Sequence, residues 1–252
     1  MSFSLRFGDF TLEGCAEFRG SSPYRVTEHR FPRRPGTIAP RVPAKDSKRV
    51  TLRGEVWKDS ESQIISYFEL LGQKLDAGRD RLYLRSDDRY LNAVAEAFDW
   101  SFIAGRSADT VAAYNLGFVA DDPHWYAPQH SEQTETVGAV NTATFSVTNA
   151  GGARTPPVIE VTRTDPANDQ ADVIITHTTT GLFMKWAGSL PDGNIVTFDC
   201  VNKRVTASGS NGLTTFTGTL RLELEPGLNN FQYDGPGNVS IVIAWQERWG
   251  QS

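Results

Sequence analysis

Short apolar segments, separated by turn signals at close intervals, constrain the second half of the chain more than any other feature. Within each segment apolar and polar residues alternate, and turn formers cluster between segments, as in 191–193 and 225–227. Alternation places the apolar side chains on one face of a strand, so the pattern predicts an antiparallel β-sandwich or jelly roll. The predicted strands are 144–149, 158–163, 172–176, 181–187, 194–199, 204–207, 219–224, 230–233 and 238–245.

Residues 60–77 have the periodicity of an amphipathic helix instead. Ser60 and Gln63 form a capping-box pattern, and Gly78 stands where a left-handed residue ends helices. Because the flanking segments predict strands, we expect the apolar face of this helix to pack against a sheet. Residues 90–100 are ambiguous and fit either a helix or a strand. The apolar positions at helical spacing in the first segment are Ile64, Ile65, Phe68, Leu71 and Leu75.

Charge divides the chain into two parts. Residues 1–130 contain 18 Lys+Arg and 18 Asp+Glu, a net charge of zero, whereas residues 131–252 contain 7 and 12, a net charge of −5. This change predicts two domains in a mainly β protein. The first, 1–130, is expected to be a β-sandwich or split barrel that carries the helix 60–77. A connector at 131–142 and a C-terminal sandwich at 143–252 follow.

The stretch 25–53 is the most basic part of the chain, and four prolines make it a long loop or an irregular hairpin rather than a helix. Clustered Lys and Arg can contact phosphates, but this stretch lacks interleaved aromatic residues for stacking on bases. Docking onto an acidic neighbouring subunit is the alternative, and no specific nucleic-acid binding is expected. The basic residues are Arg25, Arg30, Arg33, Arg34, Arg41, Lys45, Lys48, Arg49 and Arg53.

Catalytic and metal-binding patterns are missing from the sequence. The four histidines, His29, His124, His130 and His177, do not pair with each other or with cysteine at zinc-site spacing. Adjacent carboxylates such as Asp121 and Asp122 point to opposite sides of an extended backbone, which favours turn-forming roles. No nucleophile elbow, phosphate loop or dinucleotide fingerprint occurs. We therefore expect no enzyme activity, no metal and no cofactor.

Two further expectations concern ligands and membranes. Trp186 and Tyr233, in the acidic half, could form a platform on which a sugar ring stacks, although aromatic residues of a sandwich more often belong to its core. No run of about 18 apolar residues occurs, so no membrane span and no membrane partner are expected.

The order of these features resembles the distal tail protein (Dit) family of long, non-contractile-tailed bacteriophages. In the first half, RRPGTI (33–38) precedes the strand VTLRGEVW (50–57), the capped helix, LYLRSDDRY (82–90) and FVADDPHWY (118–126). In the second half, TPPVIEV (155–161) follows an Asn-x-Gly turn, and DGNIVTFD (192–199), LEPGLNN (224–230) and QERW (246–249) come later.

This resemblance implies a structural hub in the virion, made in the bacterial cytoplasm and placed at the tail tip. It implies a homo-oligomeric ring, expected to be a hexamer, built by the N-terminal domain, and a galectin-like sandwich in the C-terminal domain. The implied partners are the tail tube protein, the tail-tip or tail-associated lysin protein and a receptor-binding protein. We expect Arg33, Arg34, Arg49 and Arg53 at the ring interface. The helix face that carries Glu61, Gln73, Lys74 and Asp76 is a second candidate surface for ring neighbours.

Two rival hypotheses come from other functional classes. The C-terminal sandwich could act as a carbohydrate-binding module or adhesin. A cell-wall glycoside hydrolase would need two carboxylates across a cleft, and the sequence indicates no such pair.

Overall fold

A computed structural model describes residues 5–21, 24–25, 29–30, 37–38, 44–45, 47–83, 88–103, 110–164, 172–188 and 190–250. The chain is mainly β with one α-helix in these ranges, and its strands pair antiparallel, which confirms the predicted fold class. It divides into two compact units, Met1–Pro128 and Gln129–Trp249.

The N-terminal unit is built on one large sheet and the helix. Seven strands follow the order β2-β1-β9-β10-β11-β8-β3, and β12 also pairs with β10. The elements are β1 (Leu5–Phe7), β2 (Phe10–Leu12), β3 (Cys15–Ser21), β4 (Tyr24–Arg25), β5 (His29–Arg30), β6 (Thr37–Ile38), β7 (Ala44–Lys45), β8 (Lys48–Trp57), α1 (Glu61–Asp76), β9 (Asp80–Tyr83), β10 (Tyr90–Phe102), β11 (Val111–Ala120) and β12 (Trp125–Tyr126).

The helix α1 packs on the sheet through an aromatic cluster. Phe68 stacks on Trp100 of β10 with ring centroids 4.5 Å apart, and its edge meets Tyr67 and Tyr114. The predicted residues Ile64, Phe68, Leu71 and Leu75 are buried, whereas Ile65 is only half-buried. Tyr67 is buried in the core where Ile65 was expected. Its hydroxyl donates to the Thr11 carbonyl at 3.3 Å.

The two ends of α1 differ from the expected caps in one respect. Ser60 has the extended backbone of an N-cap, but its hydroxyl makes no hydrogen bond to the helix backbone. Gln63 Oε1 instead accepts from the Asp59 amide at 3.1 Å, so half of the capping box forms, displaced by one residue. Gly78 adopts the expected left-handed backbone with φ +99°, and its amide donates to the Leu75 carbonyl.

The ambiguous segment 90–100 is part of β10. This strand pairs with β9 on one side and β11 on the other, so tertiary pairing overrides the helical spacing of its apolar residues. A register shift between Ala95 and Ala97 marks a bulge in the strand.

The basic stretch contains two short antiparallel ladders, and its described residues form no helix. Tyr24 and Arg25 of β4 pair with Lys45 and Ala44 of β7, and β5 pairs with β6 farther along. In the sequence both ladders lie between Ser21 and Arg49, which pair with each other at the end of the β3–β8 ladder. These pairs agree with the predicted irregular hairpin.

The C-terminal unit is a sandwich of two antiparallel sheets, ordered β13-β23-β15-β18-β19-β20 and β14-β22-β16-β17-β21. Inward-facing side chains of both sheets fill one core. The strands are β13 (Ser131–Val137), β14 (Thr142–Asn149), β15 (Val158–Arg163), β16 (Val173–His177), β17 (Leu182–Trp186), β18 (Ile195–Asp199), β19 (Arg204–Ala207), β20 (Ser210–Asn211), β21 (Phe216–Gly218), β22 (Gly227–Asp234), β23 (Val239–Trp245) and β24 (Arg248–Trp249), with a short 3₁₀ helix at Leu213–Thr215.

Two sequence-based assignments differ from this structure. Residues 131–137, expected to lie in a connector, form β13, which pairs with β23 from Ser131↔Trp245 to Val137↔Val239. Residues 219–224, expected to be a strand, contribute only an isolated bridge between Leu224 and Thr155.

Candidate assembly surfaces

Among the described residues, no group of three or more His, Cys, Asp or Glu side chains is arranged to hold a metal ion. No helix in these ranges is long and apolar enough to cross a membrane. Neither cysteine forms a disulfide, and Cys200 is buried whereas Cys15 is half-buried.

Asp122 organises the turn before β12. Its carboxylate accepts from the His124 amide at 3.0 Å, contacts His124 Nδ1 at 2.6 Å and accepts from the Tyr126 hydroxyl. Burial alone raises the pKa of Asp122, but the hydrogen bonds from His124 and Tyr126 outweigh burial, and the pKa falls below its ordinary value. Asp121 forms an ion pair with Arg79. Asp122 thus has the predicted turn-forming role, whereas Asp121 pairs with a residue outside the turn.

His177 is completely buried in the C-terminal unit and stacks on Phe231 at 4.8 Å. Asn229 Nδ2 donates to the carbonyls of Glu225 and Gly227, which turns its Oδ1 toward His177 Nε2 at 3.1 Å. Nε2 therefore carries the proton, and Nδ1 accepts from the Thr180 hydroxyl at 2.8 Å. Burial lowers the pKa of His177 below its ordinary value of 6.5. His177 is therefore neutral and hydrogen-bonded at both ring nitrogens, and it links the segment that contains Thr180 to the segment that contains Asn229.

The prediction that Trp186 and Tyr233 form a glycan platform is wrong. Trp186 is 6% exposed and Tyr233 is 0% exposed, and both belong to the sandwich core. The Tyr233 hydroxyl donates to the Pro236 carbonyl at 2.7 Å, so neither ring offers a face to a sugar. The exposed aromatic side chain of β17 is Phe183, at 42%. Strand alternation could have found it, because Met184 and Trp186 point inward and place Phe183 on the outer face.

The four arginines predicted at a ring interface fall into two pairs. Arg33 and Arg34 lie outside the described residues, in the six-residue connection between β5 and β6. Arg49 and Arg53 are on the outward face of β8, and both side chains are more than half exposed. Arg49 Nη2 lies 3.4 Å from Glu96, and Arg53 Nη1 lies 3.9 Å from Glu17. Each has a partner within the same unit.

The second candidate surface, the outward face of α1, is less open than expected. Lys74 Nζ lies 2.7 Å from Asp9 and 3.0 Å from Asp80, so it links the helix to the β1–β2 turn and to β9. Glu61, Gln73 and Asp76 are exposed, and so is the apolar Leu70.

An acidic cleft was not predicted from the sequence. It has a volume of about 400 Å³ and lies over four neighbouring strands, β3, β8, β11 and β10. Glu17, Arg53, Asn115 and Asp99 stand in one cross-strand row of its lining. Glu55 lines it two residues farther along β8. Charged residues alternate along β8, and this pattern indicates which face of the strand is outward. Only the strand order shows that Asp99 lies beside that face.

Residues 150–249 match the model of a known family, the SPP1 Dit siphovirus-type tail component, C-terminal domain. The matched region is 100 of the 252 residues, and it is similar to the C-terminal domain of the Dit family. This match supports the sequence-based resemblance to the Dit family and the prediction of a phage tail component.

A solved structure extends the likeness in fold to nearly the whole chain. The crystal structure of SPP1 Dit (gp 19.1), described as a paradigm of hub adsorption apparatus in Gram-positive infecting phages, superposes with a TM-score of 0.69 at 18% identity. The match covers 98% of this chain and 99% of that chain. The activated baseplate of phage P2 with Ca gives a TM-score of 0.40 at 8% identity, covering 95% and 90% of the two chains. No curated protein sequence matches.

Proposed function

We propose that this protein is a member of the Dit family and the hub of a phage tail tip. It forms a homo-oligomeric ring, a hexamer, which joins the tail tube to the tip proteins. The observation that carries the proposal is the family match of residues 150–249 together with a fold shared with SPP1 Dit over nearly the whole chain. The partners are the tail tube protein, the tail-tip or tail-associated lysin protein and a receptor-binding protein, and the site of action is the virion tail.

The two units supply different parts of this function. The N-terminal unit carries exposed charges that a subunit interface can pair, on the outward face of β8, and its residues 22–46 contain six Lys or Arg and two acidic residues. The C-terminal unit, in which buried His177 and Asn229 are hydrogen-bonded to each other, serves as a platform for further components. The role is structural and involves no enzyme activity and no cofactor.

Mass measurement tests the proposal. Analytical ultracentrifugation of the purified chain, alone and mixed with the tail tube and tail-tip proteins, should give an assembly with the mass of a hexamer. Binding to at least one of the two proteins is expected as well. A strict monomer at high concentration that also binds neither neighbour would contradict the hub function.

The rival carbohydrate-binding function loses the residues on which it depended, because Trp186 and Tyr233 are core residues. A glycan array remains a direct test. Binding that disappears in Phe183→Ala while the fold is kept would favour the rival over the hub.

A further inference from the structure

A small cavity lies in the C-terminal unit, near the end of β23. It has a volume of about 120 Å³ and is located beside the pairs Ala244↔Val158 and Trp245↔Ser131. Clefts that hold whole small molecules usually measure about 300–1,000 Å³. This cavity therefore has room for one functional group rather than for a whole ligand such as a nucleotide.

The polar part of the lining is rich in hydrogen-bond donors. Arg248 contributes a guanidinium group, and Gln246 and His130 contribute an amide and an imidazole that can donate. The Thr155 hydroxyl also lines the cavity, but it donates to the Gln246 carbonyl at 2.7 Å. This set of side chains suits a guest that accepts hydrogen bonds.

The cavity is positive in an acidic part of the chain. Among the described residues its lining includes Arg248 and no acidic side chain, whereas residues 131–252 carry a net charge of −5. Glu247, which precedes Arg248 in the sequence, does not line the cavity, and its carboxylate accepts from the Ser131 hydroxyl at 3.2 Å. A negatively charged group therefore fits the cavity better than a cation does.

The Trp245 indole indicates that a hydrogen-bond acceptor is missing. Its side chain is only 5% exposed and lines the cavity. Its Nε1–H is closed to solvent and has no acceptor among the described residues. A buried donor without an acceptor keeps its full desolvation penalty, so folded proteins rarely leave one. An acceptor that enters the cavity removes this penalty, and the exposed His130 side chain is the part of the lining most free to move aside.

The rest of the lining is apolar. Pro156, Val158 and Ala244 contribute carbon surface, and so does Val201, which is 50% exposed and reaches the outside of the unit. This surface suits the methylene or methyl carbons that carry an acidic group, because they leave water when they contact it. An inorganic ion makes no use of it. The lining thus favours a carboxylate on a short aliphatic stem.

We infer that the cavity binds a carboxylate of another protein, whose oxygens accept from Arg248 and from Trp245 Nε1–H. Hydrogen bonds to a charged acceptor are the strong ones, and a guanidinium group matches the geometry of a carboxylate. The carboxylate belongs to an acidic side chain or to a chain terminus. The inference rests on the proposed function, in which the C-terminal unit is a platform, and it names the chemistry of one contact with a further component.

Acetate is the simplest probe of this site, and acetamide, which has nearly the same shape but no charge, is its control. The chain contains six tryptophans, and in a ¹⁵N-labelled sample of the whole chain each gives one indole N–H resonance. The resonance that is missing in Trp245→Phe belongs to Trp245. Acetate should shift this resonance saturably, with a dissociation constant in the millimolar range, and acetamide should not. No saturable shift, or an equal shift with acetamide, would overturn the inference.

A pair of arginine variants tests the charge. Arg248→Gln should weaken acetate binding by about tenfold or more, because a charged donor becomes a neutral one. Arg221→Gln is the matched control, since Arg221 is exposed in the same unit and does not line the cavity, and it should bind as the wild type does. Circular dichroism melting checks that each variant folds. If Trp245→Phe does not fold, the indole resonance that acetate shifts in the control but not in Arg248→Gln still reports on the site. Equal binding by the two variants would contradict the inference.

Three tripeptides separate the two sources of the carboxylate. Acetyl-Ala-Glu-Ala-amide carries an acidic side chain, acetyl-Ala-Ala-Ala with a free C-terminus carries a terminal carboxylate, and acetyl-Ala-Gln-Ala-amide carries neither. A shift of the Trp245 resonance with the first or the second peptide, and none with the third, supports the inference and identifies the source. A shift with acetate alone would mean that the cavity takes an adventitious ion only, and the assignment to another protein would be wrong.

Failure of this inference differs from failure of the proposed function. Carboxylate binding is measured on the chain without its neighbours, whereas the proposed function is tested by the mass of the assembly. If the hexamer forms but neither acetate nor the peptides bind, the inference is wrong and the proposed function stands. A strict monomer that binds neither tail neighbour would overturn the proposed function whatever the cavity binds.

Discussion

The N-terminal unit keeps most of its charged side chains outside, on the open face of its sheet and in its turns, and Lys48 is the one buried charged residue among its described residues. The C-terminal unit instead encloses five polar or charged side chains in its core, namely Asn149, Thr155, Arg163, His177 and Asn229. In the first unit, Lys74, Asp9 and Asp80 form an ion-pair link at the surface. In the second, His177 and Asn229 are completely buried and hydrogen-bonded to each other. Exposed charges contribute little to stability but are available to partners, while buried, satisfied networks fix one arrangement of loops. The comparison suggests a unit built for assembly and a unit built for rigidity.

The largest expected effect comes from removing the central aromatic ring of either core. Phe68→Ala removes the stack on Trp100 in the N-terminal unit, and Phe231→Ala removes the ring between Phe145 and His177 in the C-terminal unit. Each should lower the free energy of unfolding of its own unit by roughly 3–5 kcal/mol through lost burial and a cavity. Calorimetry should show one transition shifted and the other in place. A single transition that shifts equally in both variants would break the division into two independent units.

The buried network gives the next largest effect. Asn229→Ala leaves His177 Nε2 and the Glu225 amide without their acceptor, which should cost about 2–4 kcal/mol in the C-terminal unit. The neighbouring Asn230 is exposed, so Asn230→Ala should change stability by no more than about 0.5 kcal/mol. Chemical denaturation measures both. Equal effects for the two asparagines would remove the contrast between buried and exposed polar groups.

Local pattern was sufficient for much of the fold and insufficient for the surfaces. Periodicity predicts α1 and its buried face, because Phe68 and Leu71 must leave water together wherever the helix packs. Prediction from local pattern fails where strand pairing determines the structure. Leu220, Leu222 and Leu224 alternate and are buried, yet their segment joins no ladder, since alternation dictates burial and not hydrogen bonding. Trp186 and Tyr233 were candidates for a sugar site on residue type alone, whereas the alternation of Met184 and Trp186 with Lys185 in β17 indicates that Trp186 is inside and Phe183 outside. The cleft combines residues from four strands, and only the strand order brings them together.

As the pH falls, the C-terminal unit should lose stability before the N-terminal unit does. The pKa of folded His177 lies below its unfolded value of 6.5, so the unfolded chain binds the proton more tightly. The contribution of His177 is complete above pH 6.5 and declines as the pH falls below that value, by up to about 1.4 kcal/mol for each pKa unit of difference. The pKa of Asp122 in the N-terminal unit is also lowered, but from 3.8, so its contribution declines only below pH 3.8.

Melting curves between pH 8 and pH 3 check this order. The C-terminal transition should begin to fall near pH 6.5, and His177→Gln should flatten that part of its profile. Asp122→Asn should change the N-terminal profile only at the acidic end. If the N-terminal unit lost stability first, the explanation that protonation of the buried His177 starts the loss of stability would be contradicted.

The smallest effects come from two glycines of the helix segment, and they have opposite signs. At Gly72, inside α1, an added Cβ would meet only a Phe98 ring carbon at 3.8 Å, an ordinary contact, so Gly72→Ala should stabilise the N-terminal unit by about 0.5–1 kcal/mol. At Gly78 a Cβ meets no atom, but φ is +99°, so Gly78→Ala should destabilise the unit by about 1 kcal/mol through backbone strain alone. Both changes add the same methyl group, and differential scanning calorimetry can resolve them as shifts of one transition in opposite directions. Shifts of the same sign would mean that space, and not backbone conformation, governs the end of the helix. A shift in the C-terminal transition would instead show that the helix stabilises more than its own unit.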